Sequence, residues 1–355
     1  MSDLLEKHDN LLKATGPAAI VLKQWLKPVG GEVFFPPTYA NPSQRKGDPP
    51  VYNIDHAVCV IDSIPSQANR IEPAFGRLTD KVGRAIKLVP KIIVKAKVGD
   101  EEQKVNLLEA GHRAADAIVQ LSSLRNEITK AIQARKHGDS KPLAKLAPTS
   151  LVFGMWDSRE SGVKVPRLIN SIIRAYDVLE HRRSSQFNAA IDFEAADVVP
   201  EKKEKKLSEV GMDGAPATFQ HGGIEARGGI RRDASLNLCT LRDIVSTDEE
   251  QTLALQRYIL GLSLVALTYF DGKALNLRQG CQLVAIPEKS MTRTFVNADG
   301  SETPFEVDRD SALVYAEAAA KEFVIGEDRD DARFDPKLAK AALKKTKKDE
   351  EESKP

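Results

Sequence analysis

The sequence VCVIDSIPSQANRIEPAF, residues 58–75, contains the change from strand to helix around which the rest of the fold can be arranged. Its first four residues form an apolar run that is typical of a short buried strand. The polar residues after them predict a turn and then a helix, with Ser66 as its capping residue. Because loops at strand ends often carry binding sites, and helix N-termini bind phosphate, residues 66–72 are also a candidate nucleic-acid site.

The chain on either side of this segment predicts a mixture of strands and helices. Apolar patterns predict strands at 18–27, 91–98, 150–156 and 275–287, and helices at 3–15, 107–134, 249–270 and 311–323. The pattern at 107–134 fits one long helix or two helices broken near Ser122 and Ser123. The Pro-rich segment 34–50 predicts a loop, because its Pro-Pro pairs force extended backbone. Segment 166–180 is ambiguous, since its apolar spacing favours a helix and fits a strand only loosely.

Length and composition are those of an ordinary soluble protein. The chain has 355 residues, which predicts two domains or one domain with large insertions. Apolar residues make up 41% and charged residues 29%, which excludes a collagen, a disulfide-stapled miniprotein and a wholly disordered chain. The most apolar stretch, 258–270, is too short to span a membrane. Because no secretory signal is recognisable at the start, we expect a cytoplasmic protein.

Charge is balanced over the whole chain but unevenly distributed along it. Residues 64–97 hold eight basic and two acidic side chains, whereas residues 297–335 hold twelve acidic and four basic ones. We expect the first segment to face a polyanion and the second to face a basic partner or to repel nucleic acid. The alternative is that both are solvated faces of ordinary helices.

Motifs for catalysis or metal binding are not recognisable. The six histidines and three cysteines have no metal-binding or catalytic spacing, and no Walker loop, GxGxxG, GxSxG or HExxH motif occurs. We therefore expect no metal, no cofactor and a reducing compartment. Cys59 lies inside an apolar run and is expected to be a buried strand residue. Histidines and carboxylates distant in sequence could still converge in space.

Two further segments combine features that suit nucleic acid. Residues 221–235, HGGIEARGGIRRDAS, join glycine pairs to arginines, and such residues allow close approach to phosphate and bind it. The alternative is a flexible hairpin with solvent-facing arginines. Residues 159–183 hold six basic and three acidic side chains. Trp156, just before them, could stack on a base, but its place at the end of an apolar run is more typical of a core residue.

Four phrases give the chain a resemblance to a known family. They are FPPTYA (35–40), VCVIDSIPSQANRIEPAF (58–75), TSLVFGMWDSRESGVKVPRLINSIIRAYDV (149–178) and LRQGCQLV (277–284), in this order. Together they resemble the backbone subunit of type I-G (formerly I-U) CRISPR Cascade effector complexes, which belongs to the RAMP superfamily. The resemblance extends over roughly residues 18–325.

The resemblance implies an α+β fold, an RRM-like (ferredoxin-like) palm with inserted helical finger and thumb elements. On this basis we expect an N-terminal helix at 1–17, a palm at 18–335 with a helical insertion at about 99–148 and a thumb or flexible loop at about 198–235, and a disordered charged tail at 336–355. The resemblance also favours a strand over a helix for residues 166–178.

The resemblance implies a non-catalytic RNA-binding subunit in antiviral defence. Such subunits bind CRISPR RNA, oligomerise head to tail along it, and leave its bases free to pair with target DNA. Further implied partners are a large subunit, a guide-processing subunit and a recruited helicase-nuclease, with no membrane. Because only 6% of the residues are aromatic and no RNP-like motif occurs, we expect RNA binding to depend on phosphate contacts.

The candidate RNA-binding residues come from the segments described above. We expect Gln67, Asn69 and Arg70 to contact guide phosphates or 2′-hydroxyl groups. Arg159, Arg167 and Arg174 are expected to line the same groove. The remaining candidates belong to a loop that nucleic acid would order, and they are Gly222, Gly223, Arg227, Gly228, Gly229, Arg231 and Arg232.

Two other functions remain open at this point. Related subunits of type III complexes cut target RNA with a loop aspartate, and the candidates for that role are Asp62 and Asp157. The alternative role of Asp62 is to cap a turn. The third possibility is a protein-only scaffold that binds partners through its acidic segment 297–335.

Overall fold

The computed structural model describes residues 2–43, 45, 48–191, 193, 196, 210–212 and 215–352. It shows a mixed α+β protein in which a curled antiparallel sheet packs against helices. The helices are α1 (Ser2–Glu6), α2 (Ile64–Ile71), α3 (Ala117–Gln120), α4 (Arg125–Lys136), α5 (Lys141–Leu146), α6 (Thr149–Phe153), α7 (Leu238–Arg242), α8 (Glu249–Leu267), α9 (Arg309–Phe323) and α10 (Pro336–Glu352). Short 3-10 turns lie at Asp9–Leu11, Glu72–Arg77, Leu107–Glu109 and Arg113–Ala115.

The strands number seventeen in the described residues. They are β1 (Ala19–Pro28), β2 (Val33–Phe34), β3 (Ile54–Asp55), β4 (Val58–Asp62), β5 (Ile92–Val98), β6 (Glu101–Asn106), β7 (Met155–Trp156), β8 (Lys164–Val165), β9 (Ile169–Tyr176), β10 (Val178–Phe187), β11 (Ala215–Ala226), β12 (Ile230–Asn237), β13 (Leu275–Arg278), β14 (Cys281–Ala285), β15 (Thr292–Val296), β16 (Glu302–Pro304) and β17 (Arg329–Arg333).

The central sheet has nine strands, seven of them in the order β13-β14-β1-β12-β9-β4-β3. One edge of β1 pairs along its length with β12. Its other edge pairs with β15 through Ala19 to Lys23 and with β14 through Leu26 to Pro28. Because two strands share this edge, the sheet divides there and curls. Every pairing in it is antiparallel.

Residues 169–176 form strand β9, as the resemblance predicts and against the helical spacing of their apolar residues. Buried and half-exposed side chains alternate strictly along β9, and the same alternation runs along its neighbour β12. Strand pairing on both edges of β9, with β12 and with β4, decides the conformation, which local periodicity could not do. The sheet therefore has one buried face and one partly exposed face.

Helix α8 packs against β9 and β12 of the central sheet, and α9 packs against α8. Every side chain of α8 from Leu255 to Leu267 is buried. The two helices pack closely because Gly261 lies against the backbone of Ala316, where a Cβ at residue 261 would come within 2.8 Å of the Ala316 Cα. Tyr258 and Phe323 stack between them with ring centroids 4.7 Å apart. The strong helices predicted at 249–270 and 311–323 are thus confirmed.

The segment between the first strands and β9 differs most from the sequence predictions. Residues 99–148 begin with strand β6. The helical pattern at 107–134 is interrupted near Ser122 and Ser123, where two helices are one of its two predictions, and it consists of two 3-10 turns followed by α3 and α4. The strand predicted at 150–156 is wrong, because residues 149–153 form α6 and only Met155–Trp156 extend as β7. All five α6 side chains are buried, and a wholly apolar run does not distinguish a buried helix from a buried strand.

The glycine- and arginine-rich segment 221–235 lies in strands rather than in a loop. Residues up to 226 belong to β11, and β12 begins at 230. Strands β10 and β11 form a hairpin that also pairs with β2, and this sheet is separate from the central one. Most of the connection between β10 and β11, including residues 197–209, lies outside the described residues.

The two charged segments pair with each other within the chain. Lys81 contacts Asp310 at 2.9 Å, Arg84 contacts Glu317 at 2.9 Å, and Lys87 contacts Asp328 at 3.0 Å. Arg84 donates from both of its terminal nitrogens, and this contact lowers the pKa of Glu317 to about 2. The expectation that the basic and acidic segments form two separate surfaces is therefore wrong for these residues.

Both ends of the chain also differ from expectation. The N-terminal helix predicted at 3–15 is divided into α1 and the turn Asp9–Leu11. The tail expected to be disordered forms α10 in its described part, through residue 352. Its Ala-, Lys- and Leu-rich sequence consists of strong helix formers, which explains this conformation. None of the helices in the described part of the chain is long and apolar enough to cross a membrane.

Candidate nucleic-acid interface

The partly exposed face of the central sheet carries basic and aromatic side chains on three adjacent strands. Trp25 of β1 lies opposite Arg231 of β12, which in turn lies opposite Arg174 of β9. The alternation of each strand places the next outward residues on the same face. We call this surface the open sheet face, and its residues are Lys23, Trp25, Arg174, Tyr176, Arg231 and Asp233.

Arg231 is the centre of a stack of cations and aromatic rings. Its guanidinium carbon lies 5.4 Å from the Trp25 ring centroid and 5.3 Å from that of Tyr176. The amine of Lys289 also contacts the Trp25 ring, at 4.6 Å from its centroid. All three distances are within the range of favourable cation–π contact. The stack therefore presents flat rings and positive charge together on the open sheet face.

Asp233 fixes the orientation of this stack. Its carboxylate accepts hydrogen bonds from Arg231 Nε at 2.8 Å and Nη2 at 3.2 Å, and from the Tyr176 hydroxyl at 3.3 Å. The bond from Arg231 to Asp233 raises the pKa of the guanidinium above its ordinary value. Arg174 lies 3.9 Å from the same carboxylate. One carboxylate therefore faces two arginines, and Lys23 is exposed beside them.

Gly228 and Gly229 form the turn before β12 and lie against Tyr176 of β9 and Trp25 of β1. A Cβ on Gly228 would come within 2.9 Å of the Tyr176 carbonyl oxygen. Gly229 has φ +86°, and its Cβ would come within 3.1 Å of the Trp25 ring. These glycines are required by packing under the stack, whereas the sequence suggested that they approach phosphate.

A chain of buried polar side chains lies on the opposite face of the same strands. Arg232 is completely buried and donates to Ser171 at 3.1 Å and to Gln24 at 3.3 Å. Ser171 donates to Gln67 at 2.9 Å, and Gln67 donates to Asp62 at 2.5 Å. Burial lowers the pKa of Arg232 to about 10. This chain ties β1, β12, β9 and α2 together beneath the open sheet face.

Asp62 is the end of that chain and the anchor of α2. Besides Gln67, it accepts hydrogen bonds from Ser66 at 2.5 Å and from Arg70 Nε at 3.0 Å. Arg70 also donates to the Leu277 carbonyl oxygen at 3.1 Å, so it links α2 to β13. The helix cap is Ser63 rather than the predicted Ser66. Asp62 therefore has a structural role in this arrangement.

Seven of the predicted site residues fall into three groups in the structure. Gln67 and Arg232 are buried, and their side chains are hydrogen-bonded within the protein. Their role is therefore to hold the strands in position rather than to contact RNA directly. Asn69 and Arg159 are exposed, and Arg70 is about one-third exposed, with its side chain already bonded. Arg174 and Arg231 lie together on the open sheet face.

The remaining predicted residues have packing roles or lie apart from this face. Arg167 is half-buried, and burial lowers its pKa, with nearby Arg113 lowering it further. Arg227 is exposed and contacts Glu225 at 3.1 Å. Gly222 sits at a break in the β10–β11 register, where a Cβ would come within 2.8 Å of the His181 backbone. Gly223 has φ +99° and packs against β2.

The sequence analysis missed four of the six residues of the open sheet face, namely Lys23, Trp25, Tyr176 and Asp233, and also Lys289 beside it. The signal that could have identified Trp25 is the alternation in AIVLKQWLKP, whose even-numbered residues 20, 22, 24 and 26 are buried. Trp156, interpreted as a core residue, is instead 58% exposed, with the Lys164 amine 4.6 Å from its ring centroid.

Neither candidate catalytic aspartate has the surroundings of an exposed reactive group. The Asp62 carboxylate accepts hydrogen bonds from the side chains of Ser66, Gln67 and Arg70. Asp157 is buried and accepts hydrogen bonds from the Ser161 hydroxyl at 2.6 Å and from the backbone of Glu160 and Ser161. Among the described residues, no group of three His, Cys, Asp or Glu side chains is placed to hold a metal ion.

A comparison with protein families matches part of the chain. The model of the family described as CRISPR-associated protein GSU0053 matches residues 20–180. This match indicates a CRISPR-associated protein. It suggests a role in CRISPR defence. The matched segment contains α2, β9 and nearly all of β1, and with them Trp25, Arg174 and Tyr176 of the open sheet face. No curated protein matches the chain.

Proposed function

We propose that this protein is a non-catalytic RNA-binding backbone subunit of a type I-G CRISPR effector, and that guide RNA lies along the open sheet face. The observation that carries the proposal is the stack of Lys289, Trp25, Arg231 and Tyr176. Aromatic rings on the face of a sheet stack bases, and the adjacent cations neutralise phosphates. The role therefore combines stacking and phosphate contacts, whereas the sequence favoured phosphate contacts alone.

The topology supports an RRM-like palm as part of this proposal. The strands β14, β1, β12 and β9 are consecutive in the sheet and antiparallel. Along the chain, β1 is followed by helices, then β9 and β12, then α8 and finally β14. This is the β-α-β-β-α-β order of the ferredoxin-like motif. In this interpretation the thumb is the β10–β11 hairpin, which lies between β9 and β12 in the chain.

The partners in this proposal are those of an effector complex. CRISPR RNA is the direct ligand, and target DNA is bound through pairing with the guide. Other copies of the chain, a large subunit, a guide-processing subunit and a helicase-nuclease complete the assembly. We assign no catalytic step to the chain, and Asp62 and Asp157 act as structural anchors.

The test is co-purification of RNA with the full chain, expressed alone and together with a CRISPR array. We expect array-dependent assemblies with a high ratio of absorbance at 260 nm to that at 280 nm. The double variant Lys23→Ala/Arg174→Ala should lose most of this RNA and remain folded by circular dichroism. Equal RNA content in the variant and the wild type, or a protein-only monomer with the array present, would contradict the proposal.

A target-RNA nuclease would give a different result in the same preparation. Complementary RNA incubated with the assembled complex and Mg²⁺ should remain intact under our proposal. Cuts at regular intervals that disappear in the Asp62→Asn or the Asp157→Asn variant would assign the chain a catalytic role instead.

A further inference from the structure

A cavity of about 470 Å³ lies between the β10–β11 hairpin and the Pro-rich loop after β2. Its volume falls within the range that holds small organic ligands, roughly 300–1,000 Å³. Aromatic and proline residues of the loop form one part of its lining, and cationic side chains form another. The residues that matter for its chemistry are Phe35, Tyr52, Arg182, Arg183, His221 and Arg278.

The aromatic part of the lining is held rigidly. Tyr52 is buried, and its ring lies 4.6 Å from that of His221. His221 is fixed in turn by a 2.7 Å contact between its Nε2 and the Pro50 carbonyl oxygen. Phe35 lies beside them, and the Gly280 turn packs against its ring. The cavity therefore has flat apolar surfaces of the kind on which a base stacks.

The cationic part of the lining has more positive charge than its carboxylate partners neutralise. Glu180 pairs with Arg182 at 2.9 Å. Arg183 and Arg278 have no carboxylate within ion-pair distance among the described residues. Arg183 lies 5.7 Å from the Phe35 ring centroid, and Arg278 donates a 3.4 Å bond to the Pro36 carbonyl oxygen. Two guanidinium groups thus remain available for an anion, and phosphate is an anion that a planar guanidinium fork binds through two hydrogen bonds.

We propose that this cavity binds one nucleotide of a single strand, with its base against Phe35 and Tyr52 and its phosphate against Arg183 and Arg278. The inference rests on the proposed function, since that function brings a single strand to this protein. It adds a site separate from the open sheet face, which lies on different strands. The ligand class is a 5′-nucleotide unit, and apolar rings with paired arginines recognise it without reading base identity.

Adenosine monophosphate is the probe, and saturation-transfer NMR on the full chain is the measurement. We expect saturation to pass from the protein to the base protons of the probe. Arg183→Ala should reduce the effect at least fivefold, and adenosine, which lacks the phosphate, should give a weaker effect. Arg227→Ala is the matched control, because Arg227 is exposed on the same hairpin and lies outside the cavity lining. Its effect should equal that of the wild type.

The same sample then receives a single-stranded RNA of ten nucleotides as competitor. Displacement of the mononucleotide by this RNA supports the proposal. An effect that persists in Arg183→Ala, or that the RNA leaves unchanged, overturns it. Failure of the cavity is distinguishable from failure of the proposed function, because RNA binding that depends on Lys23 and Arg174 is measured independently on the open sheet face.

Discussion

Arg231 shows how a single residue can be both fixed in place and available to a ligand. Its guanidinium contacts two aromatic rings and is hydrogen-bonded to Asp233, yet its side chain is 30% exposed. Neighbouring Arg232 points to the other face and is completely buried. The sequence put both arginines in one mobile RNA-binding loop, because it does not reveal the strand alternation that separates them. At the residue scale, the sequence therefore predicted that arginines would lie in this segment, but it did not predict which face of the sheet each side chain occupies.

Trp25 gives the most direct spectroscopic test at the residue scale. The chain has two tryptophans, Trp25 on the open sheet face and Trp156 on the β7–β8 hairpin. In the variant Trp156→Phe, we expect single-stranded RNA to quench the remaining fluorescence, because a base stacks on Trp25. In Trp25→Ala, RNA should leave the fluorescence of Trp156 unchanged, and affinity should fall about tenfold, as expected for one lost stacking contact. Quenching of equal size in both variants would contradict the assignment.

Glu72 predicts a specific pH dependence of stability. It is buried beside Arg113, with 2.7 Å between Oε2 and Nε, and burial raises its pKa from 4.5 to about 7. Between these values the folded chain holds a proton that the unfolded chain releases. The free energy of unfolding should therefore fall as pH rises from about 4.5 to 7, and level off above. Urea unfolding at several pH values should show this slope in the wild type and a flatter one in Glu72→Gln. Equal slopes would refute the assignment.

At the scale of elements, a segment was predicted correctly where its own residue pattern fits a single conformation. It was not predicted where contacts with neighbouring strands or helices decide between two conformations. Strands β1, β4 and β5 and helices α8 and α9 have patterns that local chemistry decides, and their positions were predicted. Residues 149–153 and 166–178 have apolar runs that fit two conformations. Pairing with β4 and β12 makes the second a strand, and complete burial without pairing makes the first a helix. The family resemblance helped only where it supplied this tertiary information.

The contact between β2 and β11 can be tested through one glycine. Gly223 has φ +99°, and a Cβ there would come within 2.7 Å of Val33 and 2.9 Å of the Phe34 carbonyl oxygen. Gly223→Ala should therefore lower the free energy of unfolding by about 3 kcal/mol, through strain and lost packing. Gly138 is the matched control, with φ +93° and no atom within 4 Å of its Cβ position. Gly138→Ala should cost only about 1 kcal/mol. Equal losses in urea unfolding would contradict the close approach.

At the scale of the whole molecule, the fold decides which charges remain available. The basic segment 64–97 was predicted to bind a polyanion, but Lys81, Arg84 and Lys87 are paired with carboxylates of the acidic segment. The cations on the open sheet face are fewer, yet a single carboxylate, Asp233, serves two of them. Counting charges along the chain gave no information on this pairing, because the partners are more than 200 residues apart in sequence.

The most direct test of the central claim is the affinity of the full chain for single-stranded RNA, measured by fluorescence anisotropy at several salt concentrations. Lys23→Ala/Arg174→Ala should bind at least tenfold more weakly than the wild type. Its plot of log affinity against log salt should be shallower by about 0.7 for each lost phosphate contact. Arg84→Ala should bind like the wild type, because that cation is already paired within the chain. If Arg84→Ala weakens binding and the double variant does not, RNA does not lie on the open sheet face.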